Sequence, residues 1–160
     1  MEIIRLKLTN NMTKQEQYQT LLPQIAALVS GESDMIANMA NIVAALQSEF
    51  HFWWTGFYRV EGNVLVLGPF QGPIACTRIP YGRGVCGTAW ERGETVVVPD
   101  VHQFAGHIAC SSASKSEIVV PVRRAGTVIA VLDIDSEEYN TFDDVDRQYL
   151  EQIAGLFDKV

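Results

Sequence analysis

The chain has 160 residues, 48% of them hydrophobic, 9% aromatic and 19% charged, with a formal net charge of −7. That length suits one domain with a core of its own, and the apolar and aromatic content excludes low-complexity disorder. No stretch approaches the ~20 uninterrupted apolar residues of a membrane-spanning helix. The charge is uneven: residues 1–132 balance, and residues 133–160 carry the whole acidic excess. No basic patch offers a footprint for nucleic acid or anionic lipid. The acidic tail reads as the solvated face of a helix, Asp133 and Asp135 apart.

Residues 1–13 read as an N-terminal extension and residues 14–160 as a single domain. In MEIIRLKL, Arg5 and Lys7 interrupt the apolar core that a signal peptide requires. The expected compartment is therefore the cytoplasm, where thiols stay reduced. From Lys14 to Ser30 the apolar residues Tyr18, Leu21, Leu22, Ile25, Leu28 and Val29 recur at helical spacing. Thr13 and Glu16 fit a capping box, and Gly31 ends the helix. Ser33 is placed to cap a second helix over Asp34–Glu49.

The texture changes at FHFWWTGFYRV, which is aromatic and β-branched. Glu61-Gly62-Asn63 turns it into VLVLG, a β-hairpin. Residues 68–84 read as a Gly/Pro-rich connection containing Cys76. Gly84–Glu91 reads as a short helix carrying Cys86, closed by Gly93, and TVVVP as a buried strand. Residues 99–116 show no period and carry His107 and Cys110; a loop longer than ~12–15 residues in a compact domain is usually functional or disordered. EIVVPVR and TVIAVLDID form strands joined by Arg124-Ala125-Gly126. Thr141 is placed to cap a final helix with Val145, Tyr149, Ile153, Leu156 and Phe157 inward. Tight turns between consecutive strands imply an α+β fold: a central antiparallel sheet with the N- and C-terminal helices on one face.

Three features carry chemistry. The cysteines at 76, 86 and 110 lack any C-x-x-C, which fits neither a zinc ribbon nor a thioredoxin-type motif, although His107 beside Cys110 formally permits a Cys₃His zinc site. Cys86, between Val85 and Gly87, can be a small buried hydrophobe. Cys110 and Cys76 lie in irregular segments, where an accessible thiol can ionise and be reversibly oxidised, and His107 is placed to assist Cys110.

The second feature is acidic. Strand alternation puts Val131, Asp133 and Asp135 on one face and Leu132 and Ile134 on the other. Glu117 opens the strand expected to pair with this one, so three carboxylates converge either in solvent or in a polar pocket. Crowded carboxylates raise at least one pKa and leave a protonated acid near neutral pH. The third feature is aromatic. Phe52, Trp54, Gly56 and Tyr58 share one strand face and Trp53, Thr55 and Phe57 the other; one set is core, and the other can wall a small ligand or a cation. YGRGVCG formally fits G-x-G-x-x-G, but without a βαβ context it reads as a tight turn into a helix.

WTGFY at 54–58, GPIACTRIPYGRGVCG at 72–87, GHIACSSASKSEIVVP at 106–121 and LDIDS at 132–136 together resemble the free methionine-(R)-sulfoxide reductases, which are built on a GAF domain. The resemblance runs from about Tyr18 to Phe157. Two departures stand out: Ser111 where an acidic residue is expected, and Lys115 where Asn is usual. The resemblance implies a GAF-like sheet with its ligand pocket on the face opposite the terminal helices. It implies Cys110 as nucleophile toward free L-methionine-(R)-sulfoxide. Glu117, Asp133 and Asp135 would hold the substrate ammonium and supply the acid, with Trp54 and Tyr58 framing the methyl and sulfoxide end. A sulfenic acid on Cys110 would condense with Cys76, with Cys86 as an alternative or auxiliary resolving thiol, and thioredoxin would restore the thiols. No metal or organic cofactor is expected. A homodimer is expected by analogy with other GAF domains. The competing reading is a non-catalytic GAF module that binds a small ligand or senses redox state.

Overall fold

A computed structural model describes residues 12–108 and 113–159. Helix α1 spans Lys14–Ser30 and is capped by Thr13, which accepts the Glu16 N–H; the Glu16 carboxylate takes the Thr13 hydroxyl instead of returning to the backbone, so half of the expected capping box forms. Helix α2 spans Met35–Phe50. Its cap is Asp34 and not Ser33: the Asp34 carboxylate accepts from the Ala37 N–H at 2.9 Å.

Strands β1 (Trp54–Glu61) and β2 (Val64–Gln71) form the first hairpin, closed by Gly62-Asn63 with Gly62 at φ 63°. β2 continues three residues beyond the expected strand, through Gly68 and Pro69. The β1–β2 register shifts by one residue between Gly56 and Tyr58, so Gly68 and Pro69 form a bulge in β2 opposite Phe57, which is where a sheet tolerates proline. A short strand β3 (Arg78–Pro80) pairs with Val64–Val66 at the sheet edge, inside the segment read as a connection. Helix α3 (Gly84–Arg92) and strand β4 (Val96–Val98) follow. A single 3₁₀ turn at Val101–Gln103 leads toward β5 (Ser116–Arg124). Ala125-Gly126 turns the chain into β6 (Thr127–Ser136). The last helix, α4, spans Asp144–Gly155 and passes into a 3₁₀ turn at Leu156–Lys159. Its cap is Asp143 in a capping box with Asp146. Thr141, the expected cap, donates to Ser136 Oγ at 2.6 Å instead.

The sheet has six strands in the order β3-β2-β1-β6-β5-β4, with every neighbouring pair antiparallel. One face meets α1, α2 and α4. Phe57 from β1, Ile118, Val120 and Val122 from β5, and Ala130, Leu132 and Ile134 from β6 bury against Tyr18, Ile25, Met39, Leu46, Leu150 and Ile153. The other face meets α3, through Trp54, Tyr58, Val119 and Val131 against Val85, Cys86 and Ala89. The fold is thus the expected α+β arrangement. Among the described residues, no helix is long and apolar enough to cross a membrane.

Candidate active site

The two central strands bring the acids together. Across the β5–β6 pair Glu117 faces Asp135 and Val119 faces Asp133, so Glu117 also lies diagonal to Asp133 on the same sheet face. Across β1, Asp133 faces Gly56 and Asp135 faces Trp54. Gly56 leaves the space above Asp133 free of its own side chain, and the Trp54 indole leans over that space. A Cβ on Gly56 would stand 2.5 Å from both the Trp54 ring and Phe70 Cβ. Trp54 stacks on Tyr58 at 5.9 Å and on Phe70 at 5.2 Å between ring centroids. The expected convergence of Glu117, Asp133 and Asp135 in a pocket walled by Trp54 and Tyr58 is therefore present, and a solvated sheet edge is excluded.

The remaining walls come from α3 and two loops: Val85 and Cys86 from the helix, Ile74 and Ala75 from the β2–β3 connection, and His107, Ile108 and Ser114 from the β4–β5 connection. Tight backbone geometry seats α3. Gly84 has φ 62° with Ile108 packed where its Cβ would lie, and a Cβ on Gly87 would meet the Pro80 carbonyl at 2.6 Å. YGRGVCG thus acts as a turn into a helix. The β2–β3 loop is tied down from β1: Trp54 Nε1 donates to the Pro73 carbonyl at 3.1 Å and Tyr58 Oη donates to the Cys76 carbonyl at 2.8 Å.

Inside the pocket Glu117 and Asp133 are 6% and 5% exposed, and Cys86 is 4% exposed. The Cys86 sulfur and one oxygen from each of Glu117 and Asp133 lie within 4.8 Å of one another. The Glu117 and Cys86 side chains are therefore close neighbours of the Asp133 carboxylate. Ser114 Oγ donates to Asp135 at 2.9 Å. Burial, followed by the charges of Asp133 and Asp135, pushes the Glu117 carboxyl well above the ordinary range. Burial and then Asp133 do the same to Asp135. Asp133 is also raised by burial, with the neighbouring Glu117 and Cys86 side chains opposing that rise. All three carboxyls are thus held above their ordinary range, and the cluster keeps a proton to higher pH than isolated carboxyls would, titrating as one system. Burial followed by the surrounding carboxylates drives the Cys86 thiol well above its ordinary value. His107 is held below its ordinary value by burial and then by His102.

Two polar atoms in this region are buried without a partner: Asp133 Oδ1 and Trp53 Nε1. Strand alternation placed Trp53 opposite Trp54 and placed Phe52 with it. The structure reverses both, because β1 begins only at Trp54. Trp53 lines the pocket, and Phe52 packs with Phe50 and Phe142 on the helix side. Ser114 was also missed; its signal was its place two residues before the strand that carries Glu117. Cys76 belongs to the β2–β3 loop and packs beside the pocket cluster. Cys110 lies outside the described residues.

A neutral carboxyl beside an anionic one, under two stacked aromatic rings, can hold an ammonium group and deliver a proton to a nearby oxygen. Comparison with known proteins identifies the family to which this fold belongs. The family model of the GAF domain matches residues 30–158. GAF domain-containing protein A of Dictyostelium discoideum is 60% identical over 147 residues, covering 91% of this chain and 93% of that protein. The free methionine-R-sulfoxide reductase of Escherichia coli is 49% identical over 150 residues, covering 93% and 91%. Among solved structures, the free methionine-R-sulfoxide reductase of Neisseria meningitidis, in complex with its substrate, superposes with a TM-score of 0.90 at 52% identity and covers 92% of this chain and 90% of its own. With the same fold and matches over nine-tenths of its length, this chain belongs to the free methionine-R-sulfoxide reductases, enzymes built on a GAF domain.

Proposed function

We propose that this protein reduces free L-methionine-(R)-sulfoxide to L-methionine with Cys110 as nucleophile and Cys76 as resolving thiol. The observation that carries this reading is the buried cluster of Glu117, Asp133 and Asp135 beneath Trp54 and Tyr58. The carboxylates lining the pocket, among them Asp133 with its buried and unpartnered Oδ1, are acceptors for the substrate ammonium, which favours a free amino acid over a peptide-bound residue. The aromatic pair frames the sulfoxide end.

His107, kept neutral on the pocket wall, takes the Cys110 proton. The thiolate attacks the sulfoxide sulfur, and Glu117 protonates the oxygen. The S–O bond of the substrate breaks, the oxygen passes to the Cys110 sulfur, and methionine leaves with its sulfur reduced while Cys110 becomes a sulfenic acid. The Cys76 thiol displaces that oxygen as water and forms a disulfide. A dithiol protein of the thioredoxin type returns two electrons and two protons by exchange. The connection of Cys76 to β1, through the Tyr58 hydrogen bond to its carbonyl, supports its place near the reacting end.

The test is turnover of methionine-(R)-sulfoxide with dithiothreitol in the wild type and in Cys110→Ser. The wild type is expected to release methionine over many cycles, and Cys110→Ser none. Sustained turnover by Cys110→Ser removes the nucleophile; ligand binding without turnover by the wild type favours a sensory module.

A further inference from the structure

The pocket combines a thiol with carboxylates, a set that holding an ammonium group does not require. Cys86 comes from the first turn of α3, Glu117 from β5 and Asp133 from β6. The Cys86 sulfur and one oxygen of each carboxylate lie within 4.8 Å of one another, with each residue 6% exposed or less. Three elements packed on one another carry these atoms, so their convergence belongs to the fold and not to a loop. A tetrahedral zinc ion, about 2.3 Å from sulfur and about 2.0–2.2 Å from oxygen, spaces its ligand atoms by roughly 3.3–3.6 Å. Small side-chain rotations gather the three atoms to that spacing.

A second observation points to a cation. Asp133 is 5% exposed, yet its Oδ1 has no hydrogen-bond partner, although buried acceptors are nearly always satisfied. The hydroxyl and indole donors around it are committed elsewhere. Ser114 donates to Asp135, Tyr58 to the Cys76 carbonyl, and Trp54 Nε1 to the Pro73 carbonyl. No lysine or arginine lines the pocket among the described residues. The three acidic groups therefore crowd together without a fixed positive charge beside them.

The ligand types select the ion. One thiolate with two carboxylates suits a borderline-soft dication such as Zn²⁺ or Cd²⁺, whereas Mg²⁺ and Ca²⁺ favour shells made of oxygen. We propose that Cys86, Glu117 and Asp133 form a binding site for a thiophilic dication of the zinc class, and that the bound ion excludes the substrate ammonium and so inhibits reduction. The thiol proton, and any proton on the two carboxyls, passes to solvent as the ion binds, and the sulfur ligates as thiolate. Three protein ligands leave a fourth position for water. The ion site stands on the geometry of the three side chains; the inhibition rests on the reductase reading above.

The test uses Cys76→Ser/Cys110→Ser, in which Cys86 is the remaining thiol, titrated with Cd²⁺ and followed by its sulfur-to-metal charge-transfer absorbance. One equivalent is expected to bind with that band, to be displaced by Zn²⁺ and to persist in excess Mg²⁺. Adding Cys86→Ala is expected to abolish the band. Adding Asp133→Asn is expected to weaken binding by more than about tenfold, since even the outer partners of metal ligands contribute about 10–100-fold. Glu117→Gln in the same background is expected to act by a similar factor, and it takes the place of Asp133→Asn if circular dichroism shows that variant unfolded. No band in the parent variant, or an affinity unchanged by the carboxylate substitutions, overturns the site.

A second measurement addresses the inhibition. Calorimetric binding of methionine-(R)-sulfoxide to Cys76→Ser/Cys110→Ser is expected to be lost with one equivalent of Zn²⁺ and to return when a chelator removes the ion. Equal binding with and without Zn²⁺ overturns the inhibition. A metal-free wild type that releases no methionine is a different outcome: it defeats the reductase reading and leaves the ion site to the absorbance test.

Discussion

The two faces of β6 bury polar atoms under opposite rules. Toward the helices, Ala130, Leu132 and Ile134 meet an apolar core, and the carboxylate buried beside it is fully bonded. Asp146 on α4 is 1% exposed, accepts from Tyr18 Oη at 2.6 Å and Lys14 Nζ at 2.7 Å, and closes its own capping box through the Asp143 N–H at 2.9 Å. Toward α3, Val131 and Asp133 and the partly buried Asp135 meet a cluster in which Asp133 Oδ1 and Trp53 Nε1 have no partner. Buried polar groups in folded proteins are nearly always satisfied, and an exception calls for an explanation. The difference teaches that the helix face uses the one carboxylate buried there among the described residues to join two helices. The α3 face keeps one acceptor and one donor unpartnered and its carboxyls crowded at a cost in stability, as a binding and proton-transfer site does.

The largest effect that tests this contrast is on activity. Glu117→Gln keeps the shape and an N–H that can donate to Asp133, but it removes the transferable proton. Methionine formation is expected to fall about 10²–10⁴-fold, the usual contribution of a positioned acid. Rates within a few-fold of the wild type would show that the acid lies elsewhere in the cluster.

On the helix face the same kind of change acts on stability. Asp146→Ala strands the Tyr18 hydroxyl and an Asp143 N–H and removes the tie to Lys14, which is partly exposed. The expected cost is about 3 kcal/mol, or a fall of about 6–12 °C in Tm for a chain of this length, with turnover per folded molecule unchanged well below the transition. A fall under about 3 °C in a thermal melt would contradict the role given to this network.

How far these sites are legible in the chain follows from the range of the interactions. The alternation in TVIAVLDID is local, so the split between Asp133/Asp135 and Leu132/Ile134 could be read directly, and the pairing of that strand with its neighbour placed Glu117. Asp146 looked like one more acid on a solvated helix. Its burial depends on Tyr18, 128 positions away, and nothing within α4 signals that partner. Phe52 and Trp53 were assigned to the wrong faces because alternation was extended across two residues that precede β1. β3 is three residues long and pairs at an edge, too short for any period to register. The N-caps missed by two residues or fewer, with Asp34 and Asp143 in place of Ser33 and Thr141. All these residue types can cap, and the register of the helix decides among them.

The smallest effect is a slope. Burial raises the Glu117 and Asp135 carboxyls well above their ordinary values and raises Asp133 less. Between the ordinary carboxylate range near ~4 and the raised values, the folded protein binds more protons than the unfolded chain. The stability these groups contribute is full below the unfolded values and is lost as pH rises through the folded ones, by up to about 1.4 kcal/mol per pH unit for each extra proton. Asp143 acts in the opposite sense: against the cost of its partial burial, backbone N–H groups and Lys14 hold it below the ordinary range, so its contribution is lost on acidification. Asp143 is common to the wild type and Glu117→Gln and cancels in their difference. The variant is therefore expected to melt close to the wild type at about pH 4–5, near the unfolded carboxylate values, and progressively above it toward pH 8. Parallel melting temperatures across that range would mean that Glu117 carries no excess proton in the folded state. The crowding on the α3 face would then have no measurable cost, and the contrast with Asp146 would rest on geometry alone.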